Sequence, residues 1–153
     1  MELKPYEVKP QPYMKHKDYP GLRAAVYMGI AYGSYNNAAF QLDNASNPQR
    51  IVNQMNSVRR MYKEFFTGAP SAAVKGMNEP AKQPLSLQQA CLTIALASGL
   101  DASLDNAQSV LEKEGMLGKT TVDTIGNTKK LTDGDVFMLL KDAVEKQKGH
   151  PIP

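Results

Sequence analysis

Between Asn47 and Gly68 lies the stretch that most limits how this chain can fold. Ile51, Met55, Val58, Tyr62 and Phe65 follow one another at alternating spacings of four and three. That spacing puts all five on one stripe of a helix, about two heptads long. Asn47 offers an N-cap oxygen, and Pro48 takes the first helical position, where a missing N–H costs nothing. Gly68 and Pro70 supply the stop. Arg50, Gln54, Arg59, Arg60 and Lys63 flank the stripe. A helix this apolar along one side needs a second surface to cover it.

The nearest candidate is the preceding segment, which predicts a helix from Asp18 or Tyr19, through Pro20, to about Asn44. Ala25, Gly29 and Gly33 recur at every fourth position and read as a small-residue ridge for close backbone approach. Interior glycines cost about 1 kcal/mol each relative to alanine, and tight packing is the usual compensation. The expectation is a helical hairpin over 20–66, closed by Ala45-Ser46-Asn47. All seven tyrosines fall before residue 63. Part of this tyrosine-rich surface is expected to be an interface, with Gly29, Gly33 and Tyr35 in it. Residues 1–19 hold Pro5, Pro10 and Pro12, which forbid a continuous helix and predict an extended arm. Its Tyr6, Tyr13 and Tyr19 are expected to bury their rings on a neighbouring subunit.

Residues 67–84 contain three prolines and two glycines without apolar periodicity, and read as a linker. A C-terminal helical lobe over 85–149 follows. Ser86 with Gln89 forms a capping-box pattern, and Leu85 with Ala90 a hydrophobic staple. Gly99-Leu100 suits a Schellman ending. A helix over Ser103–Glu114 ends at Gly115, and 118–130 reads as loop with a brief extended piece at Val122–Ile125. Leu131-Thr132-Asp133-Gly134-Asp135-Val136 opens a last helix that runs to Gly149. The two openers match at an offset of 46: Leu85/Leu131, Ser86/Thr132, Gln89/Asp135, Ile94/Leu140 and Ala97/Ala143. Offsets of this size occur in helix-pair repeats. The fold class is therefore mainly α.

With Leu131-Thr132-Asp133-Gly134-Asp135 and Leu85-Ser86-Leu87-Gln88-Gln89 as openers and Gly115-Met116-Leu117 as an ending, residues 84–147 resemble the S-layer homology family. That resemblance implies helix–loop–helix geometry. The arginine of the family's opener is absent from both places, and the chain has no tryptophan. Members of the family bind cell-wall polysaccharide, which makes a glycan-binding module the third functional expectation.

Patterns for chemistry are incomplete. Gly118-Lys119-Thr120 matches the end of a P-loop, but Lys113 stands where the first glycine must be. Asp133-Gly134-Asp135 lacks the alternating oxygen ligands and closing glutamate of a calcium loop, and capping explains Asp135. His16 and His150 have no second histidine or cysteine at ligand spacing, so no metal or cofactor is expected. Cys91, the single cysteine, sits on an apolar helix face and excludes an internal disulfide. The chain is not expected to be an enzyme. Residues 1–66 carry nine basic against five acidic side chains, too mild a bias for a nucleic-acid footprint. No apolar run reaches a membrane span, and Met1–Pro5 does not open a signal peptide. These features point to a structural or adaptor subunit that associates with itself or another protein, in the cytoplasm or in a phage virion. A DNA-binding or regulatory protein using Arg50, Arg59, Arg60 and Lys63 is the alternative.

Overall fold

The computed structural model describes residues 12–31 and 39–152. Among these, the chain forms six α-helices: α1 Tyr19–Tyr27, α2 Pro48–Met61, α3 Leu87–Ala97, α4 Ala107–Lys113, α5 Lys119–Ile125 and α6 Asp133–Lys148. Short 3-10 turns lie at Pro12–Lys15, Pro70–Val74 and Pro80–Lys82. The mainly α class holds, with one isolated antiparallel bridge, Ala45 to Thr132, and no strand among the described residues. None of the described helices is long and apolar enough to cross a membrane.

Local chemistry sets most boundaries. The Asn47 side chain accepts from the Arg50 N–H at 2.8 Å and starts α2. Thr132 and Asp135 form a reciprocal capping box at the start of α6. Ser86 caps α3 by accepting from Gln89 N–H, but the Gln89 side chain does not return the bond. Its Nε2 donates to the carbonyl of Ala73 at 2.7 Å, away from the helix start. Three helices end alike. Leu100 N–H donates to Ala95 O, Met116 N–H to Leu111 O, and Ile30 N–H to Ala25 O, each across a glycine with positive φ. These are Schellman closures at Gly99, Gly115 and Gly29.

The third closure corrects the expected helix over 20–44. Gly29, at φ 71°, is the stop of α1 and not a rung inside it. A Cβ placed on Gly29 would meet nothing within 4 Å, so no backbone packs there. Gly33 and Tyr35, the other members of that expected interface, lie outside the described residues. The partner of α1 differs as well: α1 packs chiefly on α6, not on α2 as a hairpin. A helix of nine residues is marginal alone, so this docking is what keeps it. The close approach uses Gly21, whose Cβ would lie 2.7 Å from Met138 N and 2.9 Å from the Phe137 carbonyl carbon.

The five-residue stripe of α2 ends early. Ile51, Met55 and Val58 are fully buried, but the helix stops at Met61, and the chain turns so that Phe66 replaces Phe65 as the buried ring. Residues 67–84 are built into the structure: Pro70 and Ala73 are buried, and Gly68 N–H donates to Ala97 O. Gly68 lies directly on the Leu96 carbonyl, where no side chain fits. Residues 119–125 are helical, not extended as expected for Val122–Ile125. One apolar cluster runs from Leu22 through Ile51, Met55 and Ile94 to Val144, across both halves of the chain. The two similar openers lie side by side, with Leu131 N–H donating to Leu85 O at 2.8 Å.

Gly21→Ala tests the α1–α6 contact. Alanine gains about 1 kcal/mol of helix propensity over glycine, whereas the added methyl group should cost about 1–3 kcal/mol by overpacking. The expected result is a net loss of stability in denaturant unfolding. A gain would mean that α1 does not rest on the α6 backbone.

Candidate functional site

The first turn of α6 collects most of the buried charge. Its early N–H groups are taken by the chain before α2: Asp133 N–H donates to Asn44 O at 2.8 Å and Gly134 N–H to Leu42 O at 3.1 Å. Arg50 Nε donates to Asp133 Oδ1 at 2.7 Å, and Lys17 Nζ to Asp135 Oδ1 at 3.1 Å. Asp18, Asp133 and Asp135 are all nearly inaccessible to solvent. Asp18 occupies the cap position of α1 without capping it, and its carboxylate turns inward onto Gly134. Neither Asp18 oxygen has a hydrogen-bond partner, although Lys17 Nζ stands 3.5 Å from Oδ2. The positive end of the α6 dipole favours a carboxylate at this place.

Burial pushes the Asp18 carboxyl above its ordinary range, partly offset by Lys17, and the charge of Asp135 adds to the rise. Asp133 is shifted the same way by burial, against the pull of Arg50. Burial alone would lower the Lys17 ammonium. Its hydrogen bond to Asp135 and the charges of Asp18 and Asp135 outweigh that and raise it. His16 Nδ1 accepts from Asp18 N–H at 3.0 Å, so Nε2 carries the ring proton toward Asp43 Oδ1, 2.8 Å away. The cluster ties four chain segments together. Among the described residues, no group of three or more acidic, histidine or cysteine side chains could hold a metal ion.

The structure divides the four basic residues singled out in the sequence. Arg50 is paired with Asp133, so it is a structural cation. Arg59 Nε donates to Phe66 O at 3.2 Å, and Nη1 to Asn56 Oδ1 at 3.3 Å, fixing the turn after α2. Only Arg60 and Lys63 are exposed, beside a shallow depression that Asn56, Phe66 and Thr67 also line. Of the expected interface tyrosines, Tyr13 and Tyr19 are half-buried against this chain's own core, their rings 6.1 Å apart. Residues 12–19 thus form a strap on this chain's own core. Tyr6 lies outside the described residues.

A surface that sequence spacing did not single out forms where α1, α2 and α6 end together. Lys148 Nζ sits 5.3 Å from the Tyr27 ring centre and 5.7 Å from that of Tyr62. Tyr27 is 46 % exposed, and Met61, the residue before Tyr62, 52 %. Each of these residues closes its own helix, so only packing of three separate segments brings them together. Comparison with protein-family models, with curated proteins and with solved structures found no match.

Asp18 yields a pH prediction. A carboxyl raised in the folded state contributes stability that is full below its unfolded value and lost as pH rises through the folded one. Stability should therefore fall as pH rises from about 4 toward neutrality. Asp18→Asn should reduce that slope without abolishing it, because Asp133 acts in the same direction. Urea unfolding at several pH values measures this, and an unchanged slope would refute it. Cys91 gives a second test. It is fully buried, and burial pushes its thiol up to about 12. A thiol reagent should label it only after unfolding; fast labelling of the native protein would show the α3 face to be open.

Proposed function

We propose that the protein is a non-catalytic structural or adaptor subunit that assembles with copies of itself through the surface at the C-terminal ends of α1, α2 and α6. The observation that supports this reading is the grouping of Tyr27 and Tyr62 around Lys148, with Tyr27 and Met61, the residue before Tyr62, each about half exposed. Aromatic residues and methionine are enriched in interface cores. Here the rings are already set by the cation between them, so little side-chain freedom remains to be lost on docking. The charged residues nearer the other end of α6 have structural partners, which leaves them committed to the fold. A virion or a cytoplasmic assembly is the setting we infer.

The reading as a DNA-binding protein now rests on Arg60 and Lys63, the two exposed members of the original four. Two phosphate contacts give a weak affinity with a shallow salt slope of about −2.

Light scattering on a nuclease-treated sample distinguishes the two. The parent protein is expected to show an oligomeric mass that rises with concentration, and Met61→Glu to reduce it to the monomer with helical content unchanged. A parent protein that stays monomeric at high micromolar concentration refutes self-assembly. A mass that disappears on nuclease treatment supports the nucleic-acid reading.

A further inference from the structure

Where α2 ends, a depression of about 620 Å³ is lined by Asn56, Arg59, Arg60, Lys63, Phe66 and Thr67. We propose that it binds the terminal phosphate of a small phosphomonoester, a reading that does not rest on self-assembly.

Three of the six lining residues are cations and none is acidic. The nearest carboxylate in sequence, Glu64, lines a neighbouring hollow instead. The side chains of Arg60 and Lys63 are exposed and have no ion-pair or hydrogen-bond partner among the described residues. Arg59 is only partly exposed and already oriented: its Nε donates to Phe66 O and its Nη1 to Asn56 Oδ1. Those bonds engage the carbonyl oxygens of Phe66 and Asn56, so what is left to a ligand is mainly hydrogen-bond donors. A helix C-terminus by itself repels an anion. Here Tyr62 N–H donates to Val58 O, and Phe65 and Phe66 N–H to Tyr62 O, which engages carbonyls at that end. A carboxylate would bring one charge to three cations. A phosphomonoester brings nearly two, on three acceptor oxygens, and the forked donors of arginine fit such oxygens. A nucleic-acid strand brings one charge per phosphate and needs a row of cations. The other basic residue of α2, Arg50, is paired with Asp133 and does not extend such a row. The depression is larger than a phosphate group, which leaves room for the alcohol that carries it.

The test uses the full chain in phosphate-free buffer at physiological salt. Phenyl phosphate serves as the monoester, dimethyl phosphate as the diester, and an unphosphorylated single-stranded oligonucleotide as the nucleic acid. Two-dimensional ¹H–¹⁵N spectra follow the side-chain Nε–H signals of Arg59 and Arg60. Saturable shifts are expected with phenyl phosphate at millimolar concentration, and dimethyl phosphate should bind more weakly by about tenfold or more. The double variant Arg60→Gln/Lys63→Gln changes only exposed positions, so it should keep the helical content. It should weaken phenyl phosphate binding by about tenfold or more. The proposal is overturned if phenyl phosphate gives no saturable shifts, if dimethyl phosphate binds as tightly, or if the double variant keeps its affinity. It is also overturned if the oligonucleotide binds more tightly than the monoester, which would assign the depression to nucleic acid. Light scattering on the same samples reads the mass separately, so a failure here is distinguishable from a failure of self-assembly.

Discussion

The first turn of α6 is the joint on which the rest of the molecule depends. Leu42 and Asn44 accept from its early N–H groups, Leu131 donates to Leu85 O and accepts from Ser46 N–H, and Arg50 and Lys17 pair with its two aspartates. Four separate stretches of chain meet there. The helix beyond is buried for most of its length, with Val136, Phe137, Leu139, Leu140, Ala143 and Val144 essentially inaccessible. Full burial of the Val, Leu and Phe side chains contributes about 1.5–3 kcal/mol each, more than a typical surface ion pair. The polar joint fixes where α6 starts, and its apolar length supplies the energy.

The charges at this joint are costly to bury, which explains their arrangement. Asp133 and Asp135 each have a cation and a place in the first helical turn, whereas Asp18 has a cation nearby and no hydrogen bond. Removing one member of a buried pair leaves the other uncompensated, so such groups hold their segments in a single register. The strap at residues 12–18 is tied at the surface by His16 to Asp43 and more deeply by Lys17 to the buried Asp135.

Much of the fold was legible because caps are local. The starts of α2, α3 and α6 follow from Asn47, Ser86 and Thr132, and the ends of α3 and α4 from a glycine followed by an apolar residue. The same signature stands at Gly29-Ile30, where a fourfold spacing with Ala25 and Gly33 suggested a ridge. A spacing of four describes both an interior stripe and the position just past a helix end, and only the backbone distinguishes them. The basic residues show the same limit. Arg50, Arg59, Arg60 and Lys63 look alike along α2, yet two are fixed by Asp133 and by the Phe66 carbonyl, both outside that helix.

The sequence by itself determined that this chain is helical, where most helices begin and which of their faces are apolar, since these depend on neighbours within a few residues. The tertiary structure alone decided that α1 lies on α6 and that the turn at Pro70–Val74 packs against α2 and α3. It likewise decided that Tyr27, Tyr62 and Lys148 share one surface, and that the Gln54 side-chain carbonyl is buried without a partner. Those outcomes depend on contacts between residues far apart in the chain. The deciding features, a glycine beneath a backbone or a carboxylate beside a helix start, leave no periodic trace in the sequence.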